Sequence, residues 1–328
     1  MFSTMNKFFS ASSSETPSLS VVIPVYNEEA NLPTLLSRTL AACRALGCPF
    51  EVVLVNDGSR DRSAEILTET AAAEKEIVAV LLNRNYGQHN ATFAGYAQAK
   101  GDFIINIDAD LQNPPEEIHK IYEKLAAGHD VVAGRRMNRQ DSPLRKVPSW
   151  IVNRMIRHST GVDMHDYGCM LRGYTRTVVD AMLSCQERTP FIPILANSFA
   201  SHPCEVDVAH AERLAGASRY SLLKLINLQF DMLTGMTTSP LRFLSFCGLG
   251  VFVLGFLLSA YIIFMRLLLG NAWTNDGIFT LFAVLFFLIG AQFLGMGLLG
   301  EYIGRIFKNV GARPRYLIQQ INGKSPLK

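Results

Sequence analysis

Leu19 to Glu28 reads LSVVIPVYNE, and Glu51 to Ser59 reads EVVLVNDGS. Each is a short β-branched run that closes on polar residues, the pattern of a buried strand handing side chains to a loop at its carboxyl end. Between them, Glu29 to Leu46 is a helical stretch of about 18 positions, so the order is strand, helix, strand. IVAVLL (Ile77 to Leu82) repeats the run and ends in NRNYGQ; a helix is expected through Ala91 to Ala99, and FIINIDAD from Phe103 gives a fourth strand. Strands alternating with helices predict an α/β fold with a mostly parallel sheet covered on both faces. In such sheets ligands bind in a crevice outside the carboxyl ends of the strands.

Four strand ends should therefore share one crevice: Tyr26-Asn27-Glu28, Asn56-Asp57, Asn83-Arg84 and Asp108-x-Asp110. None is followed by G-x-G-x-x-G or a P-loop, which disfavours a dinucleotide site or a Walker-type NTPase. Asp108, Asp110 and Gln112 stand at alternate positions, and on an extended segment they point the same way. Oxygen ligands of this kind suit Mg²⁺ or Mn²⁺, which usually take one or two carboxylates plus substrate phosphates. The other reading is structural, since Asp pairs also cap helices and Asn113-Pro114-Pro115-Glu116 could start one. Three further polar strand ends facing the pair favour metal binding.

Hydrophobic residues make up 49% of the 328, yet the first two thirds read as an ordinary mixed sequence, so the excess apolarity sits in the C-terminal third. Arg219 to Met236 has the amphipathic pattern of an interfacial helix. Phe243 to Met265 runs without a charge for about 23 residues, roughly 34 Å as a helix against a ~30 Å hydrocarbon core, and Ile278 to Gly300 is a second such run. The intervening loop has one basic residue, Arg266, whereas Arg213, Arg219, Lys224 and Arg242 precede the first run and Arg305, Lys308, Arg313, Arg315, Lys324 and Lys328 follow the second. The positive-inside rule puts both flanks in the cytoplasm. The expected organisation is a flexible lead over 1–17, a catalytic domain over 18–215, an interfacial region over 216–240, a transmembrane hairpin over 241–300 and a basic cytoplasmic tail over 301–328. Gly295, Gly297 and Gly300 permit close helix packing and leave self-association open.

A net charge of +3 is too mild for a nucleic-acid partner, which needs Lys and Arg clustered on one face. It fits contact with membrane lipids. The six scattered cysteines have neither metal-ligand nor disulfide spacing and suit a reducing compartment. VAGRRMNRQDSPLRKVPS supplies Arg135, Arg136, Arg139, Arg145 and Lys146, a cationic segment able to receive a lipid phosphate or simply a solvated loop at the headgroups.

VVIPVYNE, VNDGS, NRNYGQ and DADLQNPPE in this order resemble the family-2 glycosyltransferases with a GT-A fold, a Rossmann-like sheet, and particularly the polyprenyl-phosphate glycosyltransferases. The likeness continues through NRQDS, DYGCMLRGY, FIPILAN, SRYSLLKLINL, IGAQFLGMGLLGEYIGRI and ARPRY, nearly the whole chain after Pro17. The resemblance implies a multi-pass enzyme of the bacterial inner membrane that inverts the donor sugar, releases UDP and depends on Mg²⁺ or Mn²⁺. Its longest strings are most similar to the branch that moves 4-deoxy-4-formamido-L-arabinose from a UDP-sugar to undecaprenyl phosphate, for lipid A modification and polymyxin resistance. Carried over, it puts uridine among Pro24, Tyr26, Glu28 and Asp57, with Arg84 nearby and Arg219 offering charge to the diphosphate. It gives the metal to Asp108, Asp110 and Gln112, and the lipid phosphate to Arg136, Arg145 and Ser149. Asp166 and Arg172 either order the donor or form a structural ion pair, and residues near Asn197, in FIPILAN, are candidates to sense the formamide.

Asn56 replaces an aspartate found in many relatives of that family, and Arg219 a lysine. An acceptor phosphate is already ionised, so no strong base is required. The alternative within the same reaction is transfer of glucose or another hexose. Outside it stands a non-catalytic lipid-sugar translocation component, which two spans and an intact DADLQ disfavour.

Overall fold

The computed structural model describes residues 16–136, 166, 168–185, 191–209, 277–310 and 314–327, with isolated positions between 246 and 268. They divide into two compact units, one of residues 1–147, 160–218 and 314–328 and the other of 148–159 and 219–313.

The first unit is built on β1 (Leu19–Val25), β2 (Phe50–Asn56), β3 (Ile77–Leu82) and β4 (Phe103–Asn106). β2 is buried at every position and β1 at all but Pro24, as strands covered on both faces must be. β1 pairs in parallel with β2 and β4, and β2 with β3. The helices α1 (Leu32–Ala45), α2 (Ser63–Ala73) and α3 (Gln88–Gln98) make the crossovers. A short 3₁₀ turn at Pro115–Glu117 leads into α4 (Ile118–Ala126), followed by β5 (Val131–Arg136), β6 (Arg172–Thr175), α5 (Arg176–Ser184), α6 (Ile192–Ser198) and β7 (Pro203–Val208).

With β8 (Ile318–Asn322) at one edge, the full order is β7-β5-β6-β4-β1-β2-β3-β8. β1 sends its successor to one side and β4 lies on the other, so the switch of direction falls between β1 and β4, where an open α/β sheet forms its ligand crevice. The sheet is mixed: β6 runs antiparallel to β4 and β5, and β8 (Ile318–Asn322) antiparallel to β3. A core of Leu19, Ile23, Leu35, Leu54, Ile105 and their neighbours fills one face. On α3, a Cβ at Gly95 would stand 2.3 Å from Val22 Cγ1, so glycine lets this helix lie close on β1. That seats the start of α3 beside the crevice.

Two expectations need amendment. β4 ends at Asn106, so DAD occupies the turn beyond the strand. The segment expected as a basic tail from 301 first continues a helix, α7 (Gly277–Val310), and then supplies β8 at the sheet edge. In the second unit α7 runs for 34 residues and exposes Leu281, Phe293, Met296 and Ile303. Several side chains along it lie outside the description, and among the described residues alone no helix is long and apolar enough to cross a membrane. The interfacial segment and most of the first expected span also lie outside the described residues.

Candidate active site

The loops after β1 and β2 are stitched together. Asn27 N–H donates to Ser59 Oγ (3.0 Å), Arg60 N–H to Asn27 Oδ1 (2.8 Å) and Glu28 N–H to Ser63 Oγ (3.1 Å). Asn27 takes φ +55°, a conformation asparagine tolerates better than most residues. Tyr26 emerges from this loop 43% exposed, while Glu28 accepts a 2.6 Å bond from Asn31 Nδ2. Pro24 is half-buried at the end of β1.

Asp57 lies beneath them, only 2% exposed. Its two carboxylate oxygens accept from Tyr86 N–H (2.7 Å) and Gly87 N–H (2.9 Å). Burial pushes its pKa above the ordinary aspartate value, and the two amides pull back against that rise. Gly58 turns at φ +65°, and a Cβ there would meet Arg84 C at 2.4 Å. The backbone of the 84–87 loop is thus fitted directly to the end of β2. Arg84 is exposed, with its guanidinium 4.9 Å over the Tyr86 ring.

In the DADLQ turn Asp108, Asp110 and Gln112 are half-exposed, while Ala109 and Leu111 are buried. The alternation expected of an extended segment therefore survives in a turn. Leu111 holds φ +61°, unusual for a bulky residue; anchored in the core, it keeps the flanking polar side chains on the crevice side. Gln88 Nε2 donates to Asp108 Oδ1 at 2.6 Å, and Gln112 gives Asp110 both its N–H (3.1 Å) and its Nε2 (2.8 Å). No group of three or more His, Cys, Asp or Glu forms a metal cluster among the described residues. Two adjacent carboxylates nevertheless fit a hard divalent cation that completes its shell with substrate phosphates and water.

On the far side of β4, Arg136 grips Asp166 with Nε (2.7 Å) and Nη2 (2.9 Å). Gly168 N–H donates to the same carboxylate at 3.0 Å. Arg172 is completely buried and donates to the carbonyls of Cys169 (2.9 Å) and Asp166 (2.7 Å). Asp166 makes an ion pair with Arg136, and Arg172 donates to the backbone of the same segment. Asn197 is buried in α6. Arg145, Ser149 and Arg219 lie outside the described residues. Sequence reasoning missed the contacts that Tyr86, Gly87 and Gln88 make in the crevice; NRNYGQ marked a strand end, but the backbone donors Tyr86 and Gly87 leave no side-chain signal, and a lone glutamine, Gln88, is a weak one.

The model described as glycosyl transferase family 2 matches residues 20–183. A relative from Pectobacterium carotovorum, an undecaprenyl-phosphate 4-deoxy-4-formamido-L-arabinose transferase, is 62% identical over 311 residues, covering 94% of this chain and 95% of its own. The chain belongs to glycosyl transferase family 2. A relative of the same description from Pseudomonas paraeruginosa is 59% identical over 311 residues, covering 94% of this chain and 91% of that protein. A second model, the GtrB C-terminal hairpin, matches residues 239–306. Among solved structures, mannosyl-3-phosphoglycerate synthase from Rubrobacter xylanophilus aligns with TM-score 0.50 and 13% identity, over 69% of this chain and 74% of that one. At that identity the likeness concerns the fold alone, and with the family match it makes the first unit a GT-A α/β domain with a mixed sheet. As a family member the chain is a glycosyltransferase.

Proposed function

We propose that this enzyme transfers 4-deoxy-4-formamido-L-arabinose from a UDP-linked donor to undecaprenyl phosphate, with inversion and release of UDP. The observation that carries this reading is the near full-length identity, 62% over 311 residues, to a relative of that description. Likeness of that extent takes in donor and acceptor regions together. Lipid A modification and polymyxin resistance are the physiological setting of the proposal.

Uridine binds among Pro24, Tyr26, Glu28 and Asp57, with Arg84 at the rim and Arg219 contributing charge to the diphosphate. Asp108 and Asp110 hold Mg²⁺ or Mn²⁺, with Gln112 supporting Asp110; when bound, the cation neutralises charge on the departing diphosphate. Gln88 and Gln112 contact the carboxylates through side-chain amides that can turn aside for a ligand, while the Gln112 N–H keeps its bond to Asp110. The lipid phosphate meets Arg136, Arg145 and Ser149 as an anion needing no proton removal, and the residues' task is to place two anions together. Because Arg136 is already engaged with Asp166, its guanidinium is shared or exchanged when the acceptor arrives. Asn197 reads the formamide.

Two membrane spans, Phe243 to Met265 and Ile278 to Gly300, would hold the catalytic domain and both termini on the cytoplasmic side of a bacterial inner membrane. The hairpin match over 239–306 and the exposed apolar side chains of α7 support that arrangement. A cysteine introduced at Asn275 should then label from the periplasm and one at Ser325 only from the cytoplasm. For the reaction, purified enzyme with undecaprenyl phosphate should show a higher kcat/KM for the formamido donor than for UDP-glucose or the unformylated amino sugar, because a site built to hydrogen-bond a group rejects analogues lacking it. Faster transfer from UDP-glucose would make it a hexosyltransferase.

A further inference from the structure

The loop Asn83–Gly87 is tied down from two directions. From β2, the Asp57 carboxylate takes the Tyr86 and Gly87 amides, and Gly58 lies against the Arg84 and Asn85 backbone. From the C-terminal segment, Leu317 C=O accepts the Asn83 N–H at 3.2 Å, where β8 pairs with β3. Inside the loop, Tyr86 O–H donates to Asn83 Oδ1 at 2.8 Å, which fixes the ring against the end of β3. Arg84 stands with its guanidinium 4.9 Å over that fixed ring. An exposed arginine ordinarily samples many rotamers; a ring held at both its backbone and its hydroxyl removes much of that freedom, and the cation is attracted by the ring face.

We infer that Tyr86 is a positioning residue for the donor site: anchored through Asn83 to the strand pair β3–β8, it holds Arg84 at the rim where the nucleotide binds. The inference rests on the strand ends being the nucleotide site. It adds that the eighth strand, distant in sequence from every donor-binding residue on β1 to β3, helps fix the geometry of that site. Tyr86 makes no contact with the reacting atoms in this scheme and acts through Arg84.

The test is titration of full-length protein with UDP in the presence of Mg²⁺, for wild type, Tyr86→Phe, Tyr86→Leu, Arg84→Ala, Arg84→Lys and the double variant Tyr86→Leu/Arg84→Ala. Tyr86→Leu should weaken UDP binding about 3- to 10-fold, the scale of one lost cation–π contact plus lost order. Tyr86→Phe, which keeps the ring but loses the hydroxyl bond to Asn83, should show an intermediate loss, and kcat at saturating donor should not move. Arg84→Lys, which keeps the charge but loses the planar face, should reproduce the loss without touching Tyr86. In the Arg84→Ala background Tyr86→Leu should add nothing, the signature of two residues acting as one unit. Equal losses from Tyr86→Leu with and without Arg84, or unchanged binding in Tyr86→Leu, would overturn the inference while leaving the nucleotide site in place. A wild-type protein that binds no UDP would overturn both.

Discussion

Asp57 and Asp110 are carboxylates beyond the ends of β2 and β4, the two strands that flank β1 in one sheet, but they are held by different means. Asp57 is buried and its oxygens are taken by two backbone amides of another loop. Asp110, like Asp108, is half-exposed and accepts from glutamine side-chain amides, with one local N–H besides. Backbone donors are set when the chain folds, whereas a side-chain amide can rotate away. In the proposed scheme Asp57 therefore belongs to the scaffold that shapes the nucleotide pocket, and Asp108 and Asp110 are held partly by side-chain amides that a cation arriving with its substrate can displace. Removing charge from the second region should abolish turnover and spare the fold; disturbing the first should cost both.

The largest expected effect tests the exchangeable side. Asp110→Asn should lower kcat by about 10³-fold, on the scale of losing a principal stabiliser of transition-state charge, with a melting temperature close to wild type. Asp108→Asn should also be severe. Chelation of divalent metal should reproduce the loss, and adding back Mg²⁺ or Mn²⁺ should restore wild type only. Near wild-type turnover of Asp110→Asn at saturating metal would erase the distinction between the two carboxylates.

Gly58→Ala tests the scaffold side. Alanine at φ +65° with its Cβ driven into the Arg84 backbone should destabilise the protein by about 2–4 kcal/mol and weaken UDP binding, because the 84–87 loop has to move. A thermal melt and a UDP titration on the same sample check it. An unchanged melt would mean that the β2 turn is more pliant than its close contact implies.

Arg136→Ala falls between the two regions. If the guanidinium serves the lipid phosphate, KM for undecaprenyl phosphate should rise about 10-fold, as for one lost charge-assisted contact, with UDP affinity unchanged. The variant should also melt lower, since the buried Asp166 carboxylate loses its forked partner. Loss of UDP affinity with an unchanged acceptor KM would move Arg136 to the donor side.

The four central strands were legible because each is a β-branched run buried on both faces, and the position of the crevice followed from their alternation with helices. β6 (RGYT) and β8 (IQQIN) were not, because four or five residues of mixed polarity lack a period that separates them from loop. β7 (PCEVDV) alternates only weakly. In the site, carboxylates and arginines announced themselves by type and spacing. The donors to Asp57 did not, since Tyr86 and Gly87 contribute peptide N–H groups. The Arg136–Asp166 pair was equally hidden, because the two residues lie thirty positions apart in the chain and only three-dimensional placement brings them together.

The smallest expected effect comes from the titration of Asp57 and measures how firmly its cradle holds. Its folded-state pKa lies above the ordinary value because burial outweighs the two amide bonds. The folded protein therefore keeps the Asp57 proton more tightly than the unfolded chain does. Its contribution to stability is fully present below the unfolded value, near 3.9, and is lost as pH rises through the raised folded value. Asp57→Asn carries no such titration, so the difference in melting temperature between wild type and variant should shift against wild type as pH climbs from about 4, then level off once the carboxylate is charged. The slope should be shallow, because Tyr86 and Gly87 recover part of the cost of the charged form. A difference that instead moves in favour of wild type over that range would show the amide pair to be the stronger influence, and would make Asp57 an anion site in which charge itself stabilises the fold.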